Sequence, residues 1–428
     1  MKIILKPARN EWYGLVERPK MNSEDLSALV KSIFSEVKEN GDGVLLKYTQ
    51  QYDNVVLNTI KITQEELLAA QLNVKEELKQ AIQLAANNIR TFHASQMVSF
   101  PKVETTKGVV CWQESRPIES IGLYIPGGTA PLFSTVLMLG IPAQIAGCKQ
   151  IVLCTPPNKE GKIADEILYV AKLIGITEIY KVGGVQAIAA MTYGTESIPK
   201  VLKIFGPGNQ YVTAAKQEAF QNGVAIDMPA GPSELMVVAD ETANPQFVAS
   251  DLLSQAEHGT DSQVVCVANS IELIREIKSA ISEQVEQLPR KNIALQALNN
   301  SKLIVMEAGE ETLNFINEYA PEHLILSVCN EKEYLKGLRN AGSVFLGNYT
   351  PESAGDYASG TNHTLPTNGF SKAFSGVNMD AYVKKITFQK ITKEGIQNIG
   401  KQIELMAEAE QLQAHKNAVT LRLNEKII

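Results

Sequence analysis

Over the first hundred residues the apolar positions recur at helical spacing. Leu26, Leu29, Val30, Ile33, Phe34 and Val37 share one face of a helix that Asn22, Ser23, Glu24 and Asp25 can cap and that Gly41 stops. Thr63 and Glu66 form a capping-box pattern, and a long helix is expected from about Lys75 to Gln96. From about Glu119 the period changes. Short β-rich runs at Ile121–Ile125, Ile151–Cys154, Glu178–Val182, Val201–Phe205, Leu235–Ala239, Val264–Val267, Leu303–Met306 and Ser343–Leu346 alternate with helical segments. Those helices are expected at Asp165–Leu173, Gln210–Gln221, Pro245–Gln255 and Ile271–Gln287. The alternation predicts an α/β chain in which parallel sheets carry helices on both faces. One sheet is expected to end near Ala239 and another to run from Leu235 to Leu346. The C-terminal segment reads as a strand at Ile386–Ile391, a long helix at Glu394–Ala414 and a short tail.

Four predicted strand ends carry glycine-rich loops: Pro126-Gly-Gly-Thr, Gly183-Gly-Val-Gln, Gly206-Pro-Gly-Asn and Ala230-Gly-Pro-Ser. Ligands of open α/β sheets gather at the carboxyl ends of strands. Glycine there lets backbone approach a ligand, and a following helix N-terminus favours an anion. None of the loops is a Gly-x-Gly-x-x-Gly fingerprint followed by a ribose-binding acid, so spacing alone leaves a dinucleotide site and plain tight turns both open.

Composition narrows the class. With 40 basic and 47 acidic residues the formal charge is −7, which excludes a protein whose main partner is nucleic acid. Apolar residues at 44% and charged residues at 20% suit a chain with a sizeable core. The cysteines, at 111, 148, 154, 266 and 329, have neither disulfide-framework nor zinc-ribbon spacing. The apolar run Ile3–Leu5 is too short for a secretory signal, so a reducing, cytoplasmic setting is expected. Ser120 to Cys148 holds no charged residue and is long enough to span a bilayer. Pro126, Pro131, Pro142 and several glycines interrupt it, so it reads as strand, turn and buried helix, with no membrane partner.

Histidine is scarce, at positions 93, 258, 323, 363 and 415 only. His93 reads as a core or surface histidine, and His363, in a polar loop, as structural. Gln255-Ala-Glu-His258 closes a predicted helix, where a carboxamide oxygen and an imidazole on one face can aim at one point. That pair suits a divalent cation but is too few ligands alone. Asp356 and His415 would complete a zinc set; a capped helix with ordinary hydrogen bonds is the alternative. Pro321-Glu322-His323 sets two titratable groups before an apolar strand. Adjacent strand residues face opposite ways, so they share a site only if the proline turn bends the backbone. Both suit acid–base work, and a solvated turn is the alternative. Glu410, near the end of the C-terminal helix, can meet a cationic group or lie on a solvated face. Cys111 and Cys154 lack a basic neighbour that would make either a thioester-forming nucleophile.

The longer motifs resemble a known family. Gly122-Leu-Tyr-Ile-Pro-Gly-Gly-Thr-Ala-Pro-Leu, Val182-Gly-Gly-Val-Gln-Ala-Ile-Ala-Ala, Phe205-Gly-Pro-Gly-Asn, Ala230-Gly-Pro-Ser-Glu and Asp251-Leu-Leu-Ser-Gln-Ala-Glu-His-Gly are followed by Ala320-Pro-Glu-His-Leu, Gly355-Asp-Tyr-Ala-Ser-Gly-Thr-Asn-His-Thr-Leu-Pro-Thr and Ala414-His-Lys-Asn-Ala-Val. In that order they are similar to histidinol dehydrogenases, over about residues 117 to 419. The resemblance implies two incomplete Rossmann-like parallel-sheet domains, a helical N-terminal region and a small C-terminal extension. The boundaries it suggests are 1–117 for the mainly helical region and 118–234 for an NAD-binding domain. Residues 235–378 would form a second Rossmann-like domain with the metal and acid–base residues, and 379–428 an extension reaching a partner subunit.

Carried to this sequence, the resemblance implies zinc on Gln255, His258, Asp356 and His415, with Glu322 and His323 as the acid–base residues. Ser233, Gln255, His258, His323, Asp356, Glu410 and His415 would surround L-histidinol, and Tyr124, Gln186 and Asn209 would contact NAD. It further implies a homodimer with shared active sites and a four-electron oxidation of L-histidinol through L-histidinal to L-histidine, the last step of histidine biosynthesis. The competing readings are a zinc hydrolase, with Glu322 activating a metal-bound water, and a non-catalytic small-molecule or metal-binding protein of the same fold. Retention of both Glu322 and His323 speaks against the second.

Overall fold

The structure is a computed structural model that describes residues 1–19, 23–127, 131–229 and 231–424. Asn22 of the expected first cap, Gly128 and Thr129 of the first glycine loop, and Ala230 of the fourth lie outside these residues. The strands are β1 (Lys2–Leu5), β2 (Val103–Thr106), β3 (Val109–Pro117), β4 (Ser120–Tyr124), β5 (Gln150–Thr155), β6 (Glu178–Lys181) and β7 (Lys203–Phe205). They continue as β8 (Ala225–Ile226), β9 (Glu234–Ala239), β10 (Gln263–Ala268), β11 (Lys302–Val305), β12 (His323–Ser327), β13 (Ser343–Leu346) and β14 (Val383–Ile391).

The chain divides into two compact units. The first joins Met1–Gln96 to Ile118–Tyr382, and the second joins Met97–Pro117 to the chain from Val383 onward. The first unit holds two parallel sheets, with orders β6-β5-β4-β7-β8 and β1-β11-β10-β9-β12-β13. Counted from β4 and from β9, each sheet runs third, second, first, fourth, fifth, which is the Rossmann winding with its reversal between the first and fourth strands. The chain is therefore α/β with two incomplete Rossmann-like sheets. β9 opens the second sheet, at its centre, and is not the last strand of the first.

The central strands are buried on both faces, which explains their near-continuous apolar runs. Every residue of Gln263–Ala268 and of Glu234–Ala239 is buried. Helix starts follow the local signals: Asn244 caps Pro245–Ala256 with proline in its first turn, and Asn209 caps Gln210–Gln221 through the amides of Tyr211 and Val212. The uncharged stretch resolves into β4 and the helix Phe133–Ala146, almost wholly buried. No helix among the described residues is long and apolar enough to cross a membrane.

Gly41 stops the first helix as expected: its φ of 52° is non-helical, and the stretch Ser23–Tyr48 is two helices joined at a kink there, while two other local expectations are corrected. The break is stitched by Glu196, whose carboxylate accepts the Asp42 amide at 2.8 Å. β1 was not expected; it pairs with β11 at the sheet edge, so its short apolar run is a strand. The C-terminal helix ends at Ala409, with Gln411 at φ 60°, and the expected tail forms a second helix, Gln413–Leu423. Those two helices pack so closely that a Cβ at Gly400 would lie 2.8 Å from Leu423. The second unit completes itself with an antiparallel sheet of order β14-β3-β2, where Trp112 stacks on Phe388.

Candidate active site

At the carboxyl ends of the first sheet, three glycine loops converge beside the β4–β7 reversal. Tyr124, the last residue of β4, is buried, and its hydroxyl accepts the Gly184 amide at 3.1 Å. Burial pushes its phenol up to about 12, so it stays protonated. Gln186 is buried in the first turn of the helix Gly184–Tyr193. Asn209 caps the helix that follows β7. Gly206, φ 144°, is obligatory: a Cβ there would lie 2.2 Å from the Tyr124 carbonyl oxygen. Tyr124, Gln186 and Asn209 thus sit where an open α/β sheet receives a nucleotide.

The second sheet is more crowded at its carboxyl ends. At the carboxyl ends of β9 and β12 the side chain of Asp240 already accepts the Cys329 amide at 2.7 Å and the Thr242 amide at 2.9 Å. The remaining cavity of about 160 Å³ is well below the usual size of a cofactor pocket. Asp240, Glu241 and Cys329 group at these carboxyl ends, but the more deeply buried group, His323, Glu352 and Asp356, lies at the amino ends. Helices in a βαβ winding run antiparallel to their strands, so their C-termini return to the edge where strands begin. Gln255, one residue before the end of Pro245–Ala256, arrives there in this way.

Glu322 and His323 meet at this edge. Ala320 takes a left-handed conformation, φ 55°, and Pro321 follows, so the chain bends before β12 starts at His323. Both side chains are buried and organised by one peptide. The Glu234 amide donates to Glu322 Oε2 at 2.8 Å, and the Glu234 carbonyl oxygen lies 3.3 Å from His323 Nδ1. Gln255 Nε2 donates to the same carbonyl at 3.3 Å and lies 3.4 Å from Glu322 Oε2. His323 Nδ1 also faces Glu322 Oε2 and Glu352 Oε1, each at 3.6 Å. Nδ1 thus faces these acceptors and, at 3.4 Å, Gln255 Nε2, while Nε2 makes no hydrogen bond. Nε2 is 3.7 Å from Asp356 Oδ1.

Burial disfavours the charged ring of His323, but Glu352 and Glu322, with Asp356, outweigh it and hold its pKa well above the ordinary value. Burial pushes the Glu352 carboxyl up to about 8, against the pull of His323. Burial also raises the Asp356 carboxyl, yet His323 and His363 bring it below its usual range. His363 is half-buried, and desolvation holds it below its ordinary value. Its Nδ1 donates to the Asp356 carbonyl at 3.0 Å, and its Nε2 accepts from Thr135 Oγ1 at 3.0 Å, so it bears on the site's wall as a neutral ring.

A divalent cation fits these residues. Gln255 Oε1, His323 Nε2, Glu352 Oε1 and Asp356 Oδ1 are buried without a hydrogen-bond partner. Leaving such an atom unpaired costs about 1–3 kcal/mol, so four at one place mark a missing partner. Donor atoms of His323, Glu352 and Asp356 lie within 4.8 Å of one another. Mixed imidazole, carboxylate and carboxamide donors suit zinc or a similar ion.

The helix that carries Gln255 ends at Ala256 with Glu257 as its cap, and the His258 amide continues the turn onto the Gln255 carbonyl at 3.3 Å. His258 lies beyond the cap and is exposed, though near enough for its charge to act on Asp356 and His363. Ser233 precedes β9, at the same strand edge. Glu410 and His415 are exposed on the second unit, Glu410 at the C-cap of Lys393–Ala409 and His415 in Gln413–Leu423. Glu352 was missed. It lies one helical turn before Asp356 in Glu352–Tyr357, a spacing that could have marked it. Cys154 is fully buried with its thiol pushed up, and Cys111 lies on β3 of the second unit. His93 is a core residue, its Nδ1 2.8 Å from the Ile89 carbonyl.

The sequence profile of histidinol dehydrogenase matches residues 16–423. This chain belongs to the histidinol dehydrogenase family. The histidinol dehydrogenase of Bacteroides thetaiotaomicron is 57% identical over 424 residues, 99% of this chain and 99% of that protein. That of Escherichia coli K12 is 51% identical over 413 residues, 96% of this chain and 94% of that protein. A crystal structure of histidinol dehydrogenase from Elizabethkingia anophelis superposes with a TM-score of 0.97 at 58% identity, covering 99% of this chain and 98% of that one. Membership makes the chain a dehydrogenase.

Proposed function

We propose that the protein oxidises L-histidinol through L-histidinal to L-histidine, with two NAD accepting the two hydrides and water supplying the new oxygen. The observation that carries this reading is the buried Glu322–His323 pair held on the Glu234 peptide beside a cluster of unpaired ligand atoms.

Each oxidation requires a proton acceptor. His323 offers the nitrogen for it: Nδ1 faces the Glu234 carbonyl and Nε2 makes no hydrogen bond, while the surrounding carboxylates favour the imidazolium and a bound cation would oppose them, freeing the ring to act as a base. His323 takes the alcohol proton in the first oxidation and the hydrate proton in the second. Glu322, held through Oε2 by the Glu234 amide, activates the water that adds to the aldehyde. Gln255, His258, Asp356 and His415 would hold zinc, with Glu352 beside them. Bound there, the ion would orient imidazole and amine nitrogens of the substrate and offset the field of the carboxylates. Ser233 and Glu410 would complete the substrate's surroundings. Tyr124, Gln186 and Asn209 would hold NAD at the first sheet.

In this reading the protein is a cytoplasmic homodimer whose copies exchange Glu410 and His415. The test is Glu322→Gln, which keeps the side chain's volume and removes the base. Turnover with histidinol should fall at least 100-fold with metal content unchanged. Turnover within twofold of the parent would remove Glu322 from the reaction.

A further inference from the structure

The peptide that holds both acid–base residues is itself held, by a residue from the far end of the chain. Glu234 donates its amide to Glu322 and offers its carbonyl to His323 and Gln255. Its own side chain points away and is fully buried, with the side chain only 2% exposed. There it meets Arg18. Arg18 Nε lies 3.2 Å from Glu234 Oε1 and Nη2 lies 2.8 Å from Oε2, a two-pronged ion pair. The Asn368 amide adds a third hydrogen bond to Oε1.

The same guanidinium also grips the other strand. Nη2 donates to the Tyr319 carbonyl at 2.6 Å, and the guanidinium stacks 3.8 Å from the centre of the Tyr319 ring. Tyr319 ends the helix Glu310–Tyr319, and only Ala320 and Pro321 separate it from Glu322. The Tyr319 hydroxyl is tied in turn to Gln263 Oε1 at 2.9 Å, at the start of β10. Arg18 Nη1 closes on its own segment through the Val16 carbonyl at 2.9 Å. One buried cation therefore fixes the start of β9 and the turn that presents Glu322 and His323.

We infer that Arg18 and Glu234 are positioning residues for the acid–base pair, setting the distance between Glu322 and His323 from beneath without touching substrate. This rests on the roles proposed above for Glu322 and His323. A buried carboxylate that only neutralised a buried guanidinium would need no connection to the reacting groups. Here the backbone of the carboxylate residue is the common hydrogen-bond partner of both. Side-chain displacement at Glu234 is transmitted to them through a single residue. Arginine is required over lysine because the fork, the carbonyl contact and the ring stacking use different faces of one planar group.

The experiment compares Arg18→Met, Arg18→Lys, Glu234→Gln and the Arg18→Met/Glu234→Gln double variant with the parent and with Glu322→Gln. Each is assayed as the full-length, metal-loaded enzyme for kcat, KM for histidinol and metal content. The inference predicts that kcat of Arg18→Met falls about 10- to 100-fold while KM stays within about threefold and metal content is unchanged. Arg18→Lys should recover part of the loss, and the double variant should be no worse than Arg18→Met, because the two side chains act as one unit. If Arg18→Met does not fold, the same split between kcat and KM is read from Arg18→Lys and Glu234→Gln. A kcat within twofold of the parent in the folded variants overturns the inference, as does a parallel loss of kcat, substrate affinity and metal. If Glu322→Gln itself keeps turnover, the acid–base reading fails first; if it loses turnover while the Arg18 variants do not, only the positioning role fails.

Discussion

Glu322 and His323 are neighbours in the chain, and a regular strand would send their side chains to opposite faces. The left-handed Ala320 and Pro321 place Glu322 just outside β12, so both side chains reach the Glu234 peptide. That condition was readable in Pro321-Glu322-His323 as a requirement; the geometry that meets it was not. Glu352 was harder to read: its spacing one turn before Asp356 is a signal, but a glutamate after proline at a helix start also resembles an ordinary first-turn acid. Its burial sets it apart. His258 tests the metal set at this scale. As an exposed residue it carries little packing, so His258→Ala should leave the fold intact and lower bound zinc at least tenfold in a dialysed sample measured by elemental analysis. A full zinc complement would contradict its role as a ligand.

Helix and strand positions followed from period and caps wherever one signal ruled. Gln210–Gln221 has the expected bounds with Asn209 as its cap, and Asp165–Leu173 has them on apolar spacing without a side-chain cap. Expectation failed where a distant partner supplied what the local signal lacked, as β11 does for β1. The π-helical turn Thr49–Asp53 was not expected either. Burial pushes the Asp53 carboxyl from 3.8 up to about 6, and its Oδ2 has no hydrogen-bond partner. The folded state therefore binds more protons than the unfolded chain between those two values. Stability falls as pH rises through this window and is level above it. Asp53→Asn removes the ionisation, so its melting temperature should gain more on the parent at about pH 7.5 than at about pH 4. Equal differences at the two pH values would place the carboxyl in water instead.

At the scale of the molecule, one winding is used twice with opposite edges in service. In the proposed reading the first sheet offers its carboxyl ends through Tyr124, Gln186 and Asn209, where the winding places ligands. In the second, Asp240 fills the equivalent crevice and the amino ends carry Glu322, His323 and Gln255. Sequence period marks most strands of both sheets, though not β1 and β8, and not which edge is used, because that depends on where helix C-termini return. Glu410 and His415 lie exposed on the second unit, and the proposed homodimer gives them a purpose in the partner's site. A verified heterodimer of a His415→Ala copy with a His323→Ala copy holds one intact site and one doubly damaged site. It should show about half the parent activity, while each variant alone is nearly inactive. An inactive heterodimer would mean that each site is built from one chain.

The central claim is a two-step oxidation, with one base serving twice and a water added between. It is tested most directly by counting cofactor: limiting L-histidinol is converted to completion with excess NAD and zinc, and NADH is read by its absorbance. The account predicts about two NADH and one histidine for each histidinol consumed. A yield of about one, with the aldehyde accumulating, would contradict it.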